Sequence, residues 1–338
     1  MNIPVVVHGK SGRIRLALLA CLATVTLLIA ALVVPDCQAA TVRQKRFPTP
    51  DQAASALVEA SRNDDLKAML AILGPGSREL IASGDSVADN TGRDKFVAAY
   101  ELKHSLEAKS PRIMILHVGA DDWPLPFPII RMKNGWGFDV GKGKKEILNR
   151  RIGRNELQVI EVIDAYVDAQ QEYAGKNCSG AGKVEFAQRI ISTPGTHDGL
   201  YWETREGERQ SPLGPLIARA TREGYDTKDG NLSPFHGYYF KVLTGQGKNA
   251  TGGTYRYVVK GRMILGFALI AYPAEYGNSG VMTFMVNQEG VIFEKNLGKD
   301  TRHTAEAVTI FNPDKGWKKV SRPELTGQKT ASPALPVM

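Results

Sequence analysis

The chain has 338 residues, of which 43% are hydrophobic, 23% charged and 8% aromatic. That balance excludes a disordered or collagen-like polypeptide and leaves room for about two domains, each with its own core. Lys and Arg total 43 against 35 Asp and Glu, a formal charge of +8 that is too evenly mixed to mark a nucleic-acid binder.

Residues 1–39 have the three-part layout of a secretory signal peptide. Lys10, Arg13 and Arg15 form the basic start, an apolar run covers 16–34, Pro35 breaks it, and Cys37-Gln38-Ala39 closes it with small residues at both cleavage positions. Cleavage after Ala39 would export the chain to the periplasm or beyond. The alternative is an inner-membrane anchor, because 16–34 is just long enough to span a bilayer. In that case the chain meets the membrane only through this segment. A lipoprotein reading fails at Val34-Pro35-Asp36, which lacks the small residues expected before Cys37. The mature chain would keep Cys178 alone, so stability must come from packing rather than disulfides.

An α+β domain is expected over 47–150. Thr49-Pro50-Asp51-Gln52 reads as an N-cap, a Pro at N1 and a capping-box partner, followed by alanines and Leu57 at helical spacing. Asp64 or Asp65 starts a second helix, stopped by Gly74-Pro75-Gly76, and a third is expected over 85–106. Strands then follow at 112–118 and 127–132, with Asn134-Gly135 as a type I′ hairpin signal leading into 136–140. Helices followed by a curled antiparallel sheet resemble nuclear transport factor 2-like or cystatin-like cones.

A second domain is expected over 155–320, with the boundary near Gly153 and a structural linker helix there as the alternative. Asn155 is read as the cap of a long amphipathic helix carrying Leu157, Ile160, Ile163, Tyr166 and Val167. Residues 175–235 are turn-rich, which in a compact domain means functional or tightly wrapped chain. Strands are expected at 236–243, 254–260, 265–272, 281–286 and 291–295, and 321–338 reads as a disordered tail. A helix, a wrapped loop and an antiparallel sheet are faintly similar to a type IV pilin or pseudopilin headgroup.

Several motifs together resemble the bacterial domain of unknown function 2950 family over about residues 47–320. They are Gly119-Ala120-Asp121-Asp122-Trp123-Pro124, the runs 146–157 and 165–173, Asp198-Gly199-Leu200-Tyr201-Trp202 and Ser211-Pro212-Leu213-Gly214-Pro215. His236-Gly237-Tyr238-Tyr239, the run 272–277 and the run 279–284 complete the set. The resemblance implies an exported bacterial protein and no established activity. Relatives often carry an acidic, glycine-rich turn after Tyr173, where this chain has Lys176-Asn177-Cys178-Ser179, so a calcium site is not expected.

Chemical motifs are sparse. There is no H-E-x-x-H, Walker A loop, S-x-x-K or nucleophile elbow. His104, His117, His197, His236 and His303 include no pair at ligand spacing, so neither metal nor cofactor is expected. Asp121-Asp122 and Gly277-Asn278-Ser279-Gly280 read as turns, and Cys178 as an inert loop thiol. Two candidate surfaces remain. Tyr201, Trp202, His236, Tyr238, Tyr239, Tyr272, Glu275 and Tyr276 combine flat apolar faces with a carboxylate, which suits an envelope glycan, peptide or protein partner; core packing is the competing reading. Lys142, Lys144, Lys145, Arg150, Arg151 and Arg154 would attract an anionic surface or polymer, against a merely solvated linker face. The function read from this is a non-catalytic binding or interaction module of the envelope. The alternative is a hydrolase-type enzyme with a pocket in the first domain's cone or between the domains. A convergent polar pocket with a perturbed carboxylate favours the enzyme, and an exposed aromatic platform favours binding.

Overall fold

The computed structural model describes residues 43–321 except 181, 206 and 226–233; the expected signal peptide and C-terminal tail lie outside the described residues. The chain opens with α1 (Pro50–Arg62), α2 (Leu66–Leu73), α3 (Arg78–Ile81) and α4 (Ser86–Leu102). Local chemistry sets their starts. Thr49 Oγ1 accepts from the Gln52 amide, Asp65 from Ala68 and Asp85 from Ala88, each satisfying an amide that has no partner within its own helix. The helix expected over 85–106 is α4, which stops at Leu102 because residues 104–110 pair as a strand.

Five strands follow: β1 (His104–Ser110), β2 (Ile113–Val118), β3 (Trp123–Pro124), β4 (Ile129–Met132) and β5 (Gly135–Phe138). They form an antiparallel sheet ordered β1-β2-β4-β5, with β3 also on β2. Leu57, Phe96, Leu116, Phe127 and Ile129 are completely buried between helices and sheet. The hairpin at Asn134-Gly135 exists, but its turn is not the expected one. Met132 pairs with Gly135, so Lys133-Asn134 form the loop and the positive φ (121°) falls on Gly135. A Cβ there would lie 2.6 Å from the Phe47 carbonyl oxygen, which explains the glycine.

The next element, α5 (Lys144–Gly175), is 32 residues long, or about 48 Å at an α-helical rise. It begins at Lys144 rather than at Asn155, and Gly153, where a boundary was expected, lies inside it. Asn155 therefore caps nothing; it is buried, and its amide donates to the Ser279 carbonyl at 2.9 Å. Ile147 near one end belongs to the first core, while Val159, Ile163, Tyr166 and Tyr173 belong to a second. The described residues form one compact unit around both cores.

The wrapped segment contains β6 (Arg189–Ile191), parallel to β7 (Gly199–Tyr201), and α6 (Gly214–Arg222). Buried backbone needs partners, and α5 supplies them: the Gln170 side-chain amide binds both the carbonyl and the N–H of Ala187, at 2.8 and 2.9 Å. Then come β8 (Tyr238–Leu243), β9 (Gly245–Gln246), β10 (Tyr255–Arg256), β11 (Val258–Val259) and β12 (Arg262–Met263). The remaining elements are β13 (Ala268–Pro273), β14 (Met282–Asn287), β15 (Phe293–Asn296), α7 (Thr301–Ala307) and β16 (Lys318–Lys319). A five-stranded antiparallel sheet, β16-β15-β14-β13-β8, packs its centre against α5. The expected strand over 254–260 is divided between β10 and β11, which pair with different neighbours. The architecture is α+β with antiparallel main sheets.

Candidate functional site

Two buried charges tie the first core to the second. Arg151 of α5 is 4% exposed, and its guanidinium donates to the Glu79 and Leu80 carbonyls at the end of α3 and to Asn278 Oδ1 in the β13–β14 connection. Asn278 in turn donates to the Ala82 carbonyl and to Glu275. Burial pulls the Arg151 pKa down, and the Asp89 carboxylate partly offsets it. Asp85, 1% exposed, does the reciprocal job. Its Oδ1 caps α4 at Ala88, while Oδ2 accepts the Tyr225 hydroxyl and the Gly237 amide, both at 2.8 Å.

The Gly237 amide reaches Asp85 because His236 and Gly237 turn sharply. Both have positive φ, 52° and 76°, and Phe235 and Tyr238 exchange backbone hydrogen bonds across them. This is the type I′ signature that the sequence analysis placed at Asn134-Gly135. Gly237 is required twice over, since a Cβ would lie 2.8 Å from both Asn155 Nδ2 and Ser279 Cβ. His236 is held in a backbone region that few side chains tolerate.

Beside this turn lies a cleft of about 300 Å³ whose walls come from α4, the middle of α5 and the residues Glu223, Tyr225 and His236. Its polar lining includes Asp89, Lys95, Arg154, Gln158, Glu223 and His236. Two of these groups are pushed in opposite senses. Burial raises the Asp89 carboxyl, although the Ser83 amide donates to it at 2.8 Å. Burial, and then the charges of Arg219 and Arg154, lower the His236 imidazole to about 4. His236 is therefore neutral near pH 7, so its 3.8 Å approach to Glu223 is not an ion pair there. Among the described residues Arg154 and Lys95 have no ion-pair partner, and the buried Nε of Arg219 has no hydrogen-bond partner. The chemistry available is recognition by unneutralised cations, with a neutral imidazole and a raised carboxyl beside them.

The eight aromatic-site candidates are not brought together. Tyr238 is fully buried; its hydroxyl donates to the Met282 carbonyl, and Glu156 lies 3.5 Å away. Trp202 is 7% exposed, stacks on His197 at 4.3 Å and donates to the Arg209 carbonyl. Both belong to the second core. Tyr201 is half-buried and, with Trp202, lines two cavities of the wrapped segment of about 710 and 500 Å³. Tyr239 and Tyr272 pair at 5.7 Å under Arg302, as alternation along β8 requires of a residue facing away from Tyr238. Glu275 is exposed against Gly84, Tyr276 bridges to Gly280, and only His236 reaches the cleft.

The basic segment is divided as well. Lys142 faces Asp139, Lys144 binds Glu79 and the Gly76 carbonyl, and Arg150 pairs with Glu146. Arg151 is buried, which removes it from any solvent-facing array. Lys145 is exposed, and Arg154 turns to the cleft. Sequence reasoning missed Asp85, Asp89, Tyr225 and Glu223 as site residues. The one available signal was Asp85 at a helix start, which reads as an ordinary cap.

Among the described residues no helix is long and apolar enough to cross a membrane, and no cluster of three or more His, Cys, Asp or Glu is placed to hold a metal ion. A sequence profile described as "Protein of unknown function (DUF2950)" matches residues 44–320. No curated protein and no solved structure matches the chain.

Proposed function

Because the chain belongs to the DUF2950 family, whose description assigns no activity, we propose a function from the site itself: an exported, envelope-associated binding module that holds a small polar ligand in the cleft beside His236. The observation that carries this reading is a concave site whose walls are fixed by buried hydrogen bonds while Arg154 and Lys95 stay unneutralised. Export is supported by the leader-like layout of residues 1–39. The order of elements supports a cone-like first domain and a pilin-headgroup-like second, joined through α5. The test is mass spectrometry of small molecules released from purified protein, with Ala88→Trp as control. Ala88 is exposed and lines the cleft, so the indole fills the space without touching a core. A molecule retained by the native chain and lost from a folded Ala88→Trp variant is the expected result. Equal retention by both would refute the site.

A hydrolase reading is favoured by one observation, the raised Asp89 carboxyl and the neutral His236 imidazole lining the same cleft. Purified protein should then cleave a member of an ester, amide or glycoside panel, and Asp89→Asn should slow it at least about tenfold, the low end of general acid–base contributions being about a hundredfold. No turnover across the panel would retire this reading.

A further inference from the structure

We propose that the ligand of this cleft presents an oxyanion, a carboxylate or a phosphoryl group, to the lining that carries Arg154, Lys95 and His236. The inference rests on the binding reading above and names the ligand class. Its first support is the charge balance of the walls. The Arg151 guanidinium is spent on two carbonyls and an amide oxygen, and Asp85 on an amide and a hydroxyl, so both act as scaffold. What faces the space as cation is Arg154 and Lys95, without a carboxylate partner among the described residues. An Arg held at a cavity wall without a counter-charge presents a planar fork of donors suited to an oxyanion.

The second support is independent of the first. Arg219, which is not itself a lining residue, carries a buried Nε with no hydrogen-bond partner among the described residues, so its desolvation as a charged donor is uncompensated. Arg219 and Arg154 are also the two charges felt at the His236 imidazole. Positive potential therefore converges on His236, which lines the cleft. Of the acidic groups in the lining, Asp89 is disfavoured as an anion by burial, and Glu223 lies at the exposed edge, 3.8 Å from His236. A neutral His236 adds one hydrogen-bond donor to the same lining.

The experiment measures thermal stabilisation and imidazole NMR shifts of the mature-length protein titrated with inorganic phosphate or with glutarate, against chloride at equal ionic strength. The expected result is a saturable rise in melting temperature with one of the two anions, movement of the His236 signals, and at least about tenfold weaker binding in Arg154→Gln, the size of losing one charge-assisted contact. Which anion acts identifies a phosphoryl or a carboxylate ligand. Stabilisation by neither anion beyond chloride overturns the proposal, as does an undiminished response in a folded Arg154→Gln variant. The binding reading fails separately, through equal ligand retention by the native chain and Ala88→Trp; a cleft that retains a molecule yet ignores both anions leaves that reading intact and ends this one.

Discussion

Asp85→Asn isolates the junction that shapes the cleft. The amide oxygen of Asn can still cap α4 at Ala88, because Asn and Asp are comparable N-caps. The other position changes from an acceptor of two hydrogen bonds to a donor. The Tyr225 hydroxyl can rotate and accept from the new amide, but the Gly237 N–H cannot. Hydrogen bonds to a charged acceptor are worth about 1.5–3 kcal/mol, and a buried unpaired N–H costs about 1–3 kcal/mol. The expected loss is therefore about 3–5 kcal/mol. Tyr225→Phe removes one donor and leaves the carboxylate bound to Gly237, for about 1–2 kcal/mol. The two changes share a partner, so the double variant should lose about 1 kcal/mol or more less than the sum. Urea unfolding followed by circular dichroism and tyrosine fluorescence measures all three. A loss below about 1 kcal/mol for Asp85→Asn, or additivity within about 0.3 kcal/mol, would show that the Asp85–Tyr225–Gly237 junction does not hold the two cores together.

Gly237→Ala combines left-handed strain with overlap against Asn155 and Ser279 and should cost about 2–4 kcal/mol, whereas Gly261→Ala, with similar φ but open space, should cost about 1 kcal/mol in the same unfolding assay. His236 is neutral when folded down to about pH 4 but titrates near 6.5 when unfolded, so its contribution is fully present above pH 6.5 and is lost as pH falls toward 4. His236→Asn, which tolerates the same backbone, should flatten the stability–pH curve within that window by up to about 3 kcal/mol, and an unchanged slope would contradict the assignment. The Cys178 thiol is buried and its pKa raised by that burial, so it should resist alkylation in the native protein and react only on unfolding, as mass spectrometry of iodoacetamide-treated samples can show.

Features that depend on residues within one turn of each other were legible in the sequence. Thr49 and Asp65 cap the helices they were expected to cap, because a side-chain acceptor and the amide three residues on are neighbours in any helix. The alternation that sends Tyr238 and Tyr239 to opposite faces of β8 was equally readable, since strand period is independent of what the sheet packs on. The tertiary structure decided the rest. Asn155 looks like a cap from its neighbours, yet α5 runs through it, because its amide has a partner at Ser279, far along the chain. The type I′ turn formed at His236-Gly237 rather than at Asn134-Gly135 because an acceptor on Asp85 awaits the Gly237 amide. Arg151 reads as one more cation in a basic run, and only the approach of α3 and the Asn278 turn converts it into a buried tie. Burial and long-range hydrogen bonds are properties of the assembled cores, so the groups that line the cleft acquire their character only when the chain has folded.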